Sequence, residues 1–350
     1  MLHTAKYFCQ KFISRVFLVG FVSLLATSQI VSAEDVTALE KANFERWLQA
    51  VRIEALEKGI SEKTIALALS DVKLLKQAIK KDNNQPEVQQ TFDTYLNSRI
   101  SEWRITNGRK MIAENTELFA DISKIYKVPP QFVAAIWGLE TNYGTFALTI
   151  PIFDALATLA YDPRRSAQFR SELFAALKIV DNGDATVDIM MGSWAGAMGQ
   201  PQFMPQTYIA YAIDHDGDGI RDIWANKGDV FASISSYLKH YGWNADQSWG
   251  HEVTFSAESK TSASVDDLEG VSPDAACKSY ASLRPWLPLS HWQKKGIHNI
   301  SGEPLPKDDI LAALILSDAG DDKGYLVYRN FCSIMKYNPS FKYALSVSIL

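Results

Sequence analysis

The sequence predicts a mainly α, α+β protein: a helical body with a small β-containing domain inserted late in the chain. Apolar residues recur at helical spacing early, as in Phe44, Trp47, Leu48 and Val51, and again from about Val88 to Tyr241 with breaks. From Trp249 to about Tyr328 that spacing is lost, and Pro285, Pro288, Pro304 and Pro306 interrupt any helix. A chain of 350 residues that is 47% hydrophobic and 21% charged supports one large or two modest domains with a real core, and excludes a disordered or collagen-like chain.

Taken in order, the N-terminus reads as a secretory signal over residues 1–33. Lys6, Lys11 and Arg15 form a basic start, Val16 to Ala26 is largely apolar, and Val31-Ser32-Ala33 offers small residues for cleavage. A spanning helix needs about 20 apolar residues, so a cleaved signal and a soluble exported protein beginning near Glu34 are expected. Cys9 precedes the apolar run, so no lipoprotein cleavage site is read there. Glu34 to about Lys80 is helical, broken at Gly59-Ile60-Ser61. Lys81 to Pro86 is polar up to its proline and reads as an exposed linker. Late in the chain His251 to Phe255 looks like a strand, and Ser256 to Pro273 is a Ser/Asp-rich loop. Ala312 to Leu316 and Tyr325 to Tyr328 flank a hairpin signal at 319–324.

Charge and motifs remove several functions. Without the signal the chain keeps 32 Lys plus Arg against 40 Asp plus Glu, a net charge of −8. A net acidic chain without a basic cluster is a poor match to nucleic acid. No Gly-x-x-x-x-Gly-Lys loop and no Gly-x-Gly-x-x-Gly turn occurs. His251-Glu252 begins like a zinc-protease motif, but Phe255 stands where its second histidine belongs. Cys277 and Cys332 are the two cysteines after the signal; a disulfide and two buried thiols both fit the sequence.

The segment Val128 to Gly144 carries the strongest chemical signal. Two prolines open a helix whose body is almost wholly apolar, and Glu140 is its one ionisable acid or base. Glu140 shares a face with Val133 and Ile136 and sits in the last turn, where the helix dipole disfavours an anion. Both effects favour the protonated form, which suits a general acid; a solvent-facing Glu at a helix end is the alternative. Ser193 to Pro205 is rich in Gly, Gln and Met, a composition that brings backbone and amides close to a polar ligand, or forms an ordinary turn before a helix at 206–213. Asp214, Asp216, Asp218, the carbonyl of Ile220 and Asp222 follow calcium-loop spacing, though Ala225 stands where a bidentate Glu is usual. A weak structural calcium site is expected, with an ion-free Asp/Gly turn as the alternative.

Four motifs in order resemble the lytic murein transglycosylase B family, glycoside hydrolase family 103, from about Glu40 to Leu350. They are Gly138-Leu139-Glu140-Thr141-Asn142-Tyr143-Gly144, Gly196 to Pro205, Asp216-Gly217-Asp218-Gly219 and Lys336-Tyr337-Asn338-Pro339-Ser340. The resemblance implies a lysozyme-like helical core: 34–110 an accessory helical region, 111–243 the catalytic core, 244–328 the small β domain, and 329–350 a segment returning to the core. It implies cleavage of the bond between N-acetylmuramic acid and N-acetylglucosamine in peptidoglycan. Glu140 would be acid and then base, leaving a 1,6-anhydro product. Ordinary glycosidases use two carboxylates; this family's single Glu makes a lone acid expected.

By the same resemblance Ser193, Gln202, Tyr237, Tyr337 and Tyr343 line the sugar groove, with core packing the alternative for each tyrosine. Arg164 and Arg165 resemble a pair that meets the peptide stem; placed in the first turn after Pro163, they would sit at the unfavourable dipole end. Asp229 would complete the metal loop. No cofactor is required for the chemistry. Glycan strands are the implied partner of a monomer in the periplasm, with room for cell-wall synthases. A lysozyme-like hydrolase, an inactive peptidoglycan-binding scaffold and a calcium-dependent adhesion module are the competing readings.

Overall fold

The computed structural model describes residues 33–82, 90–255, 277, 279–280, 283, 285–306, 310–317 and 323–350. The signal segment, most of the expected linker, the Ser/Asp-rich loop and the tip of the late hairpin lie outside the described residues. Residues 43–350 make one compact unit, and residues 1–42 are grouped separately. Among the described residues no helix is long and apolar enough to cross a membrane.

Helix α1 (Ala33–Glu57) ends just before Gly59, whose φ of 80° turns the chain into α2 (Glu62–Leu69). The expected break therefore falls where Gly-Ile-Ser stands. Ser61 caps α2 by accepting from Thr64 N, satisfying a donor that the first turn leaves open. Then follow α3 (Lys76–Asp82), α4 (Phe92–Arg99), α5 (Glu102–Glu114) and α6 (Thr116–Tyr126). Thr91 and Ser101 cap α4 and α5 in the same way. Lys127 leaves α6 in the left-handed conformation, and Pro129-Pro130 starts α7 (Pro130–Thr141). Strand β1 (Ile150–Pro151) precedes α8 (Ile152–Tyr161) and α9 (Ser166–Asp181), two helices packed tightly on each other. Strand β2 (Met191–Gly192) pairs antiparallel with β1.

The helix expected at 206–213 is α10 (Pro205–Tyr211), and α11 (Lys227–His240) is capped by Asn226. The late β region is real: β3 (Gly250–Phe255), β4 (Leu287–Pro288), α12 (Leu289–Lys294), β5 (Ile297–Asn299), β6 (Leu311–Leu316) and β7 (Lys323–Val327). The strands form one antiparallel sheet in the order β4-β6-β7-β3-β5, and β6 and β7 are the predicted hairpin arms. Pro288 stands on an edge strand, where a missing N–H costs no ladder bond. Finally α13 (Arg329–Tyr337) and α14 (Phe341–Ile349) return to the helical body.

Three apolar clusters organise this chain. The first gathers Phe119, Trp137, Phe231, Phe331 and Leu345, with the Phe119 and Phe231 rings stacked at 4.4 Å. The second joins Phe44, Leu48 and Val51 of α1 to Leu156, Leu173, Phe203 and Tyr208. The third lies on one face of the sheet, around Val253, Trp292 and Leu326. Tyr337 packs against both the first and the second, so the end of α13 lies at the seam between them. Cys277 and Cys332 form a disulfide buried in the first cluster, which decides between the two readings of these cysteines.

Candidate active site

Helix α7 buries its middle and its last residue, Thr141. Phe132 through Gly138 are buried, while Leu139 and Glu140 are half-buried. Asn142, Tyr143 and Gly144 then take φ values of 54°, 61° and 73° in succession. A bulky residue in the left-handed region costs on the order of 1–3 kcal/mol unless its surroundings hold it. Tyr143 is held: its ring lies against Gly138, where a Cβ would come within 2.5 Å of Cζ, and its hydroxyl donates to the Arg104 carbonyl at 2.7 Å. Burial raises that hydroxyl to about 12. The glycine two places before Glu140 therefore makes room for the ring that ends the helix.

The second motif is latched onto the first. Gln200 accepts from Trp137 Nε1 at 2.7 Å and donates from Nε2 to the Trp224 carbonyl at 2.7 Å. Its backbone carbonyl accepts from Thr141 Oγ1 at 3.1 Å. A Cβ on Gly144 would run into the Gln200 amide. Thr141, Gly144 and Gln200, all motif residues, therefore fasten the loop at 199–205 to the end of α7.

Glu140 receives a hydrogen bond from Tyr343, whose hydroxyl donates to Oε1 at 2.6 Å. Tyr343 is buried on α14, with its backbone held by the Ser340 cap. Burial, reinforced by the Glu140 charge, holds its hydroxyl well above the ordinary phenol range. It stays protonated and can only donate strongly to a carboxylate. Helical spacing placed Glu140 among apolar neighbours; the structure adds a polar partner 203 residues away that no local pattern reveals.

The other expected groove residues divide. Tyr337 donates to the Pro201 carbonyl at 2.6 Å and packs on Phe203 and Tyr237, with ring centroids 5.8 and 5.0 Å away. Its hydroxyl is raised by burial and then by the Glu140 charge, which places it in the same electrostatic neighbourhood. Tyr237 donates to the Lys336 carbonyl at 2.5 Å. Gln202 stands at φ 54°, and its Nε2 donates to the Gly199 carbonyl at 2.9 Å. Ser193 Oγ accepts from the backbone N–H of Ala195 and Ala197. The amide of Gln202 and the hydroxyl of Ser193 thus shape the loop that carries them. Sequence reasoning missed the continuation of the aromatic wall: Tyr211 and Tyr241 hydroxyls meet at 3.1 Å, and Lys336 Nζ lies over the Tyr241 and Tyr280 rings. The spacing of Tyr237 and Tyr241, four residues apart, was a usable signal.

The arginine pair requires a correction. Helix α9 starts at Ser166 with Arg165 as its N-cap, so the pair flanks the helix start and does not lie in its first turn, and of the two Arg165 stands at the unfavourable dipole end. Asp162 and Pro163 form a turn instead, and Asp162 takes Arg164 in a salt bridge of 2.7 Å. That guanidinium holds the Asp162 carboxyl below its usual range. Arg165 bonds Gln168 at 3.0 Å and lies over Phe169 at 4.8 Å.

Of the expected metal residues, Asp214, Asp216 and Asp229 have ligand atoms within 4.8 Å of one another. Asp229 is fully buried in the first turn of α11, and both of its oxygens accept backbone N–H groups, from His215 and Asp222. Burial raises its carboxyl, those bonds oppose the rise, and Asp216 and Asp214 add to it. Three hard oxygen donors gathered at one point, with no salt bridge to any of them among the described residues, fit a cation such as calcium. Asp218 is not in the group: its Oδ1 accepts from Ile220 N at 2.8 Å, closing a local turn, and both residues are exposed.

A helical body with a small antiparallel sheet, and one carboxylate aligned by a buried phenol at a helix end, define a protein of lysozyme-like fold. More particularly, the chain belongs to the family described as the transglycosylase SLT domain, whose profile matches residues 43–350. It is 33% identical over 230 residues to membrane-bound lytic murein transglycosylase B of Escherichia coli strain K12, covering 64% of this chain and 56% of that protein. The chain thus spans a little over half the length of that curated relative. Its fold matches SltB3 from Pseudomonas aeruginosa, solved in complex with NAG-anhNAM-pentapeptide. The TM-score is 0.77, with 38% identity over 87% of this chain and 78% of that one. It also matches the Escherichia coli lytic transglycosylase Slt35 in complex with calcium, at TM-score 0.70 and 26% identity, covering 86% and 90%.

Proposed function

We propose that this protein is a lytic transglycosylase that cleaves the β-1,4 bond between N-acetylmuramic acid and N-acetylglucosamine in peptidoglycan, leaving 1,6-anhydromuramic ends during cell-wall turnover. The observation that carries this reading is Glu140, half-buried at the end of an apolar helix with Tyr343 donating to its Oε1 at 2.6 Å. Glu140 first gives its proton to the glycosidic oxygen as the bond to muramic C1 breaks. The resulting carboxylate then takes the proton of the muramic C6 hydroxyl, whose oxygen closes on C1. Tyr343 holds the carboxylate in one orientation through both steps. Tyr337, Tyr237, Gln202 and Ser193 would shape the groove for the sugars. Arg164 and Arg165 would meet the acidic stem.

The Asp214, Asp216 and Asp229 group would hold a structural calcium ion, giving charge balance between α10 and α11 and no chemistry. Export to the periplasm is supported by the Cys277–Cys332 disulfide, a bond that persists in oxidising compartments.

Mass spectrometry of products from sacculi tests the proposal. Muropeptides ending in 1,6-anhydromuramic acid with the native protein, and none with Glu140→Gln, are expected. Reducing-end products would make the protein a hydrolase, and sacculi bound without cleavage would make it a scaffold.

A further inference from the structure

The seam between the sheet and the helical body holds a cavity of about 320 Å³, open on one side. The register explains its contents. Glu252 on β3 stands opposite Tyr325 on β7, and Lys323 lies two residues before Tyr325, so all three point to the same face. Ser317, two residues past Ile315, which pairs with Tyr325, continues that face beyond the end of β6. Helix α4 closes the cavity from the other side with Asp93, Leu96 and Asn97, and Ile349 at the end of α14 adds an apolar edge.

The side chains there are poised for a ligand. Glu252, Asp93 and Tyr325 line the same cavity, and burial and then these two charges raise the Tyr325 hydroxyl to about 12. Neither they nor Lys323 takes part in a salt bridge among the described residues. Ser317 Oγ is buried and has no hydrogen-bond partner among the described residues. Two carboxylates, one ammonium, an amide and a buried unpaired hydroxyl, on an apolar floor, form an inventory unlike that of the glycan groove.

We propose that this cavity binds the zwitterionic amino-acid end of a peptide, its ammonium group between Asp93 and Glu252 and its carboxylate on Lys323. The assignment rests on the peptidoglycan reading above, because the diamino acid of a peptide stem supplies such an end.

The test is calorimetric titration of the full chain with the tripeptide N-acetyl-L-alanyl-γ-D-glutamyl-meso-diaminopimelate, whose one free amine is that of the diamino acid. Native protein should bind it, while Asp93→Asn and Glu252→Gln, exposed positions that leave the core intact, should each weaken binding about tenfold or more. The same peptide acetylated on its free amine should fail to bind. No heat with the free peptide, equal affinity in native and variant proteins, or equal binding of the acetylated form would each overturn the proposal. So would competition by calcium chloride, which would mark a cation site. The sacculus assay with Glu140→Gln runs independently. Peptide binding without anhydro products would reject the transglycosylase reading and keep the cavity, and products without peptide binding would do the reverse.

Discussion

Tyr343 and Glu140 meet at 2.6 Å, so the acid at the end of α7 is oriented by a phenol on the last helix of the chain. Position and orientation of that carboxylate are thus set by different segments. Val133 and Ile136 anchor the helix that carries it, and α14 aims it.

Tyr343→Phe keeps the buried ring and removes the donor. A hydrogen bond to a charged group contributes about 1.5–3 kcal/mol, so kcat should fall roughly 10- to 100-fold with KM little changed. Steady-state kinetics on soluble glycan fragments checks this; an unchanged kcat would make the tyrosine mere packing.

Gln200→Ala should destabilise the fold and cost activity together. It strands Trp137 Nε1 and the Trp224 carbonyl, and each unpaired buried group costs about 1–3 kcal/mol. Thermal melts should show a clear drop in Tm, and a slower reaction even at temperatures where the variant is fully folded.

The calcium reading separates two aspartates that look alike in sequence. Calcium should raise the Tm of the native protein over that measured in a chelator, because it binds the folded state. Asp214→Asn should abolish the rise, while Asp218→Ala, outside the three-carboxylate group, should keep most of it. Equal loss in both variants would return Asp218 to the ligand set.

Alkali should unfold the protein through its buried phenols. Tyr143, Tyr280 and Tyr325 are raised by burial from 10.0 to about 12 in the folded state. Between pH 10 and 12 the unfolded chain releases those protons and the folded chain keeps them, so stability present below pH 10 is lost as pH rises. Absorbance at 295 nm should show these tyrosines ionising with unfolding, monitored by circular dichroism, and not before it. Their free titration near pH 10 in folded protein would contradict the burial argument.

Much of this molecule was legible in one dimension. The break at Gly59-Ile60-Ser61, the apolar helix ending at Glu140, and the hairpin arms around 319–324 follow from periodicity and turn chemistry, and all three are present. Boundaries were less legible. The helix expected to include Arg164 and Arg165 starts at Ser166, because Asp162 and Pro163 close a turn that captures the first arginine. Thr141, Gly144 and Gln200 of the two motifs serve as a latch, which spacing cannot show: Trp137 and Gln200 are 63 residues apart and touch.

By itself the sequence determined the helical class, the late β insertion, the single ionisable group on a buried helix and the acidic loop, since each depends on residue type at local spacing. Tertiary structure alone decided the donor on Glu140, the three aspartates that converge, the pairing of Cys277 with Cys332 and the cavity lined by both Asp93 and Glu252. These depend on which distant segments pack together, and local periodicity carries no information about that distance.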